Sequence, residues 1–134
     1  METFEAAKKW FDKAANDMKA VEIILKAEGE VPYDVVCFHC QQAAEKLLKG
    51  YMTNIECEFP FTHNLTMLSG SLARFKGESG IERMFIYFDI LEPYSVAARY
   101  PGDISVPGRE DALEAEMAIT EIFNWIEGEL PEFF

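Results

Sequence analysis

Four polar side chains on one predicted helix have the residue types and the spacing needed to hold an anion. His39, Gln42, Lys46 and Lys49 follow one another at intervals of three or four residues. At about 100° per residue, this spacing places them within about 80° of one another. Lysine supplies positive charge, while glutamine and histidine supply directional hydrogen bonds. We call these four residues the polar stripe.

The polar stripe also has a simpler interpretation, as the exposed face of an ordinary helix. Glu45 is four residues before Lys49, which is the spacing of a helical ion pair, and long polar side chains commonly coat such faces. Val35 and Phe38 flank the stripe on the side predicted to face water. Apolar residues in that position favour a partner surface, for example one that meets a second copy of the chain.

Asp17 and His63 are predicted to be structural polar residues, as is Glu45. Asp17 lies at the edge of the apolar arc of the first helix, close to Trp10, and a buried carboxylate needs a partner. We expect Arg99 to be that partner in an ion pair that closes the bundle, with a catalytic Asp17 as the alternative. His63 comes at the start of a helix, where a capping or bridging hydrogen bond is favoured over a role as general base.

The cysteines raise the question of a metal site. Cys37 and Cys40 point the same way on one helix, and Cys57 is left over, so the odd count favours reduced thiols. A metal site that combines the two helical cysteines with His39 and His63 is one interpretation. We favour the interpretation that Cys37 and Cys40 are two small apolar side chains packed in the core. We therefore predict neither a metal nor a cofactor.

Composition and charge limit the range of partners. The chain has 134 residues, enough for one domain over residues 1–134, and a formal net charge of −12. Residues 1–49 carry seven Lys/Arg and nine Asp/Glu, and residues 50–134 carry five and fifteen. This acidity disfavours binding of a nucleic-acid backbone by the whole surface. The sequence has neither a bilayer-length apolar run nor a secretory signal pattern, so we expect a cytoplasmic protein without membrane contact.

Apolar residues recur at helical spacing almost everywhere, and the chain lacks convincing period-two segments. The sequence therefore predicts an all-α fold, an antiparallel up-and-down bundle of four to five helices. Gly50 near the end of the second helix predicts fraying there, at a cost of about 1 kcal/mol relative to alanine. The predicted helices run from Thr3 to Gly29, from Tyr33 to Thr53, from Thr62 or His63 to Gly77, from Ile81 to Leu91, and from Arg109 or Glu110 to Pro131.

Four groups of residues, in this order and spacing, resemble the HEPN domain family over residues 4–126. They are Trp10 with Ala14 and Asp17; residues 38–46 (Phe-His-Cys-Gln-Gln-Ala-Ala-Glu-Lys) with Lys49; residues 62–65 (Thr-His-Asn-Leu); and residues 98–101 (Ala-Arg-Tyr-Pro). The resemblance implies a helical bundle that commonly dimerises. It also implies a frequent partner, a minimal nucleotidyltransferase, in a toxin–antitoxin or defence pair.

Active members of this family are metal-independent RNA endonucleases that carry an arginine followed, after four to six residues, by a histidine. A histidine can move the proton of the ribose 2′-OH while arginine steadies the phosphate. Here both histidines precede every arginine, and the three permitted positions after Arg99 hold Ile104, Ser105 and Val106. The departure from the signature implies that the ribonuclease chemistry is not carried over.

The resemblance then implies a non-catalytic, homodimeric partner of a nucleotidyltransferase. Nucleotide or RNA contact would fall to the polar stripe together with Arg99 and Tyr100, and the same residues could instead dock a partner protein. The alternative is an RNA endonuclease in which folding brings Arg99 close to His39 or His63. A third interpretation is an interaction module without any ligand.

Overall fold

A computed structural model describes residues 2–77, 80–95 and 106–134, which form five α-helices and contain no strand. The predicted all-α bundle is confirmed. None of the helices in these ranges is long and apolar enough to cross a membrane. The helices are α1 (Glu2–Leu25), α2 (Tyr33–Asn54), α3 (Leu65–Lys76), α4 (Phe85–Leu91) and α5 (Arg109–Glu129), with 3₁₀ turns at Ile81–Met84, Glu92–Tyr94 and Pro131–Phe133.

Prolines, glycines and capping side chains set the helix ends. Pro32 precedes α2, and Gly77 ends α3 with a φ of 69°, a conformation that glycine adopts without strain. The Asn64 side chain accepts a hydrogen bond from the Met67 N–H, so α3 begins at Leu65. The predicted start at Thr62 or His63 was wrong by two or three residues, because both residues belong to the connection that precedes the cap.

α2 lies at the centre of the bundle and contacts each of the other four helices. α1 runs antiparallel to it, since Phe11 meets the late residue Gly50 whereas the later Asp17 meets the early residue His39. α5 runs parallel to α2: Asp111, at the start of α5, lies close enough to Cys37, early in α2, to add to burial in raising the pKa of that thiol, and Trp125, near the end of α5, stacks on Tyr51 near the end of α2. The central position of α2 explains why so few of its side chains face water.

α2 buries an apolar arc on the side opposite the polar stripe. All eight of its members are at most 1% exposed: Val36, Cys37, Cys40, Ala43, Ala44, Leu47, Leu48 and Tyr51. The cysteines are free, buried thiols. Burial raises the pKa of Cys37 to about 11 and raises that of Cys40 further. Because only the thiolate is a good nucleophile or metal ligand, these thiols are suited to packing.

Gly50 has a packing role that the sequence did not reveal. The predicted fraying near this residue was wrong, because α2 continues to Asn54 and Gly50 is buried. A Cβ atom at Gly50 would lie 2.6 Å from Cε1 of Phe11, closer than real Cβ contacts come. The missing side chain therefore allows α1 to approach α2 closely.

Candidate functional site

The carboxylate of Asp17 holds two members of the polar stripe. Asp17 is 8% exposed, and its Oδ1 atom lies 2.8 Å from Nδ1 of His39. Its Oδ2 atom accepts a hydrogen bond of 2.6 Å from Nζ of Lys46. With Nδ1 engaged, Nε2 is the nitrogen of His39 that remains for an outside contact. We call these three residues the Asp17 cluster.

Among the residues that the structure describes, the partners of Asp17 come from α2. The predicted ion pair with Arg99 lies outside the described residues, as do Arg99 and Tyr100 themselves. Lys46 already supplies the charge that a buried carboxylate requires, and His39 supplies a second hydrogen bond. Sequence reasoning placed Asp17 correctly at the edge of the core, but it did not connect that carboxylate with the polar stripe.

The carboxylate of Glu45 also contacts one lysine and one histidine, Lys49 and His63. Nζ of Lys49 donates a 3.0 Å hydrogen bond to Oε2 of Glu45, which confirms the predicted pair. Nδ1 of His63 lies 3.1 Å and 3.0 Å from the two oxygens of the same carboxylate. We call these three residues the Glu45 cluster. Glu45 and Lys49 are 4% and 8% exposed, so the exposed face predicted for this pair was wrong.

The connection between α2 and α3 explains why Lys49 is buried. Phe59, in this connection, packs edge-on against Trp10 of α1 at a centroid distance of 6.5 Å. Nζ of Lys49 lies 5.7 Å from the Trp10 ring and 5.8 Å from the Phe59 ring. Two aromatic rings therefore cover the lysine, and its charge is balanced by Glu45 and by the faces of those rings.

Two adjacent glutamines extend the hydrogen bonding. Nε2 of Gln42 donates to Oε1 of Gln41 over 2.8 Å, and Nε2 of Gln41 donates to the backbone carbonyl of His63 over 3.2 Å. Gln41 is fully buried and fixes the start of the α3 segment against α2. Sequence reasoning missed Gln41, although its place in the apolar arc, seven residues before Leu48, was a usable signal.

Glu92 is a second residue that sequence reasoning missed. Its Oε2 atom accepts hydrogen bonds from the backbone N–H groups of Leu65 and Thr66, the first residues of α3. A carboxylate there satisfies free donors and complements the helix dipole. Burial raises the pKa of this carboxyl group. Because Glu92 is 27 residues away in the sequence, no local pattern indicates this contact.

The two clusters together form a polar edge in which each lysine is paired with a carboxylate. Asp17 neutralises Lys46, and Glu45 neutralises Lys49. A phosphate would have to compete with a carboxylate for either ammonium group. Three side chains of this edge can still contact an outside molecule: His39, His63 and the half-buried Gln42. The His39 side chain is 27% exposed, and the His63 side chain is 63% exposed. This edge is suited to directional hydrogen bonds.

The structure does not bring the proposed metal ligands together. Over the described ranges, no three His, Cys, Asp or Glu side chains are placed to hold a metal ion. Cys37 and Cys40 are fully buried, whereas His63 is turned outward on Glu45.

The family model of the HEPN domain matches residues 7–129, nearly the whole chain. No curated protein matches, and no solved structure matches.

Proposed function

Because this chain belongs to the HEPN domain family, we propose that it is a non-catalytic, homodimeric partner of a nucleotidyltransferase. The pair would be of the toxin–antitoxin or defence type. One observation carries the proposal: no arginine is followed, at the family's spacing, by a histidine. A protein of this family without that arginine–histidine pair keeps the helical scaffold and its partner-binding surfaces, but it lacks the histidine that moves the proton.

The structure supports this interpretation through the placement of the only two histidines. His39 is bound to Asp17 and His63 to Glu45, each through Nδ1. Both imidazoles lie at the polar edge of α2, next to Lys46 and Lys49. They therefore contribute to a preformed edge with fixed side chains, which favours recognition because little conformational entropy is lost on binding.

We propose nucleotide or RNA as a secondary ligand of this edge. Gln42 and the free ring nitrogens offer hydrogen bonds, and Arg99 and Tyr100 would add charge and a ring. Since Lys46 and Lys49 are already neutralised within the fold, specificity would come from hydrogen-bond geometry more than from charge. The acidic surface would keep such binding weak and sensitive to salt.

One observation favours a second candidate, an RNA endonuclease. A carboxylate that engages Nδ1 of a histidine fixes the ring and its tautomer, as in a general base ready to accept a proton at Nε2. Both histidines have this arrangement. In this second candidate, Arg99 would steady the phosphate while His39 or His63 moved the proton.

An RNA-cleavage assay with protein freed of metal by a chelator separates the two candidates. We expect the unmodified chain to cleave single-stranded RNA no faster than buffer does. Cleavage that disappears both in Arg99→Ala and in either His39→Gln or His63→Gln would overturn the non-catalytic proposal. Variants that still cleave at the unmodified rate would instead identify a contaminating nuclease.

The partner and the ligand need separate measurements. Affinity purification of the chain from its own cells should recover a nucleotidyltransferase, and its absence would contradict the proposed partnership. Calorimetry with nucleotides should show binding that weakens in Gln42→Ala and not in the control Glu22→Ala on the exposed side of α1. Charge reversal of Lys46 or Lys49 is a poor test, because it would place two carboxylates side by side inside the fold.

A further inference from the structure

Two imidazoles at the polar edge of α2 are bound to carboxylates through the same nitrogen. Nδ1 of His39 lies 2.8 Å from Oδ1 of Asp17, and Nδ1 of His63 lies 3.0 Å from Oε2 of Glu45. An ionised carboxylate can only accept hydrogen bonds, so Nδ1 carries the proton in each ring. In the neutral imidazole, Nε2 is then a hydrogen-bond acceptor.

Protonation reverses the role of this second nitrogen. A charged imidazole carries a proton on both nitrogens, so Nε2 becomes a donor. Histidine is the side chain that ordinarily changes its charge between about pH 5 and pH 8. The side chains of His39 and His63 are 27% and 63% exposed, so solutes can reach both rings. A fall in pH across this range therefore converts two acceptors at this edge into two donors.

The charges around His39 balance one another while its ring is neutral. His39 shares the carboxylate of Asp17, on α1, with Lys46 of its own helix. The carboxylate contributes one negative charge and the ammonium one positive charge. The Asp17 cluster thus has no formal charge with a neutral imidazole, and it gains one positive charge when the ring is protonated.

The surroundings of His63 respond to acid in the same direction. His63 shares the carboxylate of Glu45 with Lys49, so this cluster also gains one positive charge on protonation. Glu92, in the turn after α4, lies near Glu45. Burial raises the pKa of Glu92, and the charges of Asp89 and Glu45 add to this effect. Acid therefore removes negative charge near this cluster as well.

Gln42 lies between the two clusters. At about 100° per residue, it is about 60° around α2 from His39 and about 60° from Glu45. Its amide donates one N–H to Gln41 over 2.8 Å, and the second N–H of that amide can serve a ligand. His39 and Glu45 are about 9 Å apart along the helix axis. A chain that carries successive phosphate groups can therefore reach both clusters.

We propose that the polar edge of α2 binds phosphate groups of RNA once His39 and His63 have taken up protons, so that pH regulates this contact. At neutral pH both ammonium groups are paired within the fold, and neither Nε2 atom donates. In mild acid the same edge offers two charged donors on either side of Gln42, and charge-assisted hydrogen bonds to phosphate are strong. This inference rests on the RNA contact of the proposed function and adds the condition under which it forms.

The affinity for sulfate and for a short single-stranded RNA, measured by calorimetry at several pH values, tests the inference. Sulfate and phosphodiesters keep their own charge across this range, so a change in affinity arises from the protein. We expect both dissociation constants to fall about tenfold or more between about pH 8 and about pH 5.5.

The double variant His39→Gln with His63→Gln should lose this pH dependence. Glutamine can still donate a hydrogen bond to the carboxylate, but it takes up no proton. The control Lys26→Gln removes a positive charge from a side chain that is 77% exposed, and it should keep the pH dependence. Circular dichroism at both pH values checks that the variants are folded. An equal pH dependence in the double variant would assign the effect to the acidic surface as a whole and overturn the inference.

Nuclear magnetic resonance of the unmodified chain provides an independent readout. His39 and His63 are the only histidines in the sequence, so single variants assign their imidazole signals. Because the coupling between proton and anion is reciprocal, added sulfate should increase the charged fraction of both rings at a fixed pH. Rings whose charge does not respond to sulfate would contradict the inference.

The RNA measurement separates this inference from the proposed function. RNA that binds equally tightly at both pH values would overturn the regulation by pH and leave the RNA contact standing. RNA that does not bind at any pH in this range would overturn both.

Discussion

Asp17 is the residue on which the polar edge of α2 depends most directly. Its carboxylate is almost fully buried, and it engages an ammonium and an imidazole at once. Removing one partner of a buried pair is costly because the remaining charge stays unsatisfied in a region of low dielectric. Lys46, with 22% of its side chain exposed, would be left in that situation.

We expect Asp17→Asn to lower the free energy of unfolding by about 2 kcal/mol. The amide keeps the shape of the side chain but not the charge that balances Lys46. Urea unfolding at neutral pH measures the change. Asp12→Asn is the matched control, since Asp12 pairs with Lys8 on the exposed side of the same helix. That control should change stability by less than about 0.5 kcal/mol, and equal effects would contradict a buried pair.

Residue types and spacing in the sequence grouped the polar side chains of α2 into one stripe, but they did not indicate which partners these side chains have. The Glu45–Lys49 pair follows from a spacing of four residues and was predictable. The contacts of Asp17 with His39 and Lys46 span 22 and 29 residues, so they depend on the packing of α1 against α2. No local pattern carries that information.

At the scale of elements, the distance between α1 and α2 is set by one glycine. Gly50 is inside α2, where helix propensity alone favours alanine by about 1 kcal/mol. The ring of Phe11 occupies the space that a Cβ atom would take. Because Phe11 is 2% exposed and packs on Phe133 and Phe134, it has little freedom to move away.

We expect Gly50→Ala to destabilise the fold by about 1–3 kcal/mol, because the added methyl group overpacks the helix contact. Gly128→Ala in α5 is the control: no atom lies within 4 Å of its Cβ position, so the substitution should be neutral or stabilising by up to about 1 kcal/mol. Thermal unfolding of both variants measures the difference. Stabilisation by Gly50→Ala would show that α1 does not approach α2 as closely as described.

The positions of the helices were largely predictable because the residues that begin and end a helix act locally. The paths of the connections depend on contacts that are distant in the sequence. Pro32 and Gly77 act locally, so they fixed the start of α2 and the end of α3. The connection between α2 and α3 instead returns over α2 and buries Lys49 under Phe59. Periodicity describes how one helix faces its neighbours, and it cannot show that a loop will cover the remaining side.

At the scale of the whole molecule, an aromatic cluster ties the last residues to the first helix. The ring of Phe133 stacks on Phe4 at 4.4 Å and meets Phe11 edge-on at 4.8 Å. Phe134 contacts Phe11 and also Phe123 of α5. These rings join α1 and α5, which otherwise meet mainly through α2. The cluster thus closes one end of the bundle.

We expect Phe133→Ser to lower the free energy of unfolding by about 2 kcal/mol, since two aromatic contacts and the burial of one ring are lost. Urea unfolding, followed by helical circular dichroism, measures the change. Phe75→Ser makes the same chemical change at an exposed site on α3 and should alter stability by less than about 0.5 kcal/mol. If the two variants unfold at the same urea concentration, the residues after α5 do not hold α1, and the bundle is closed by its helices alone.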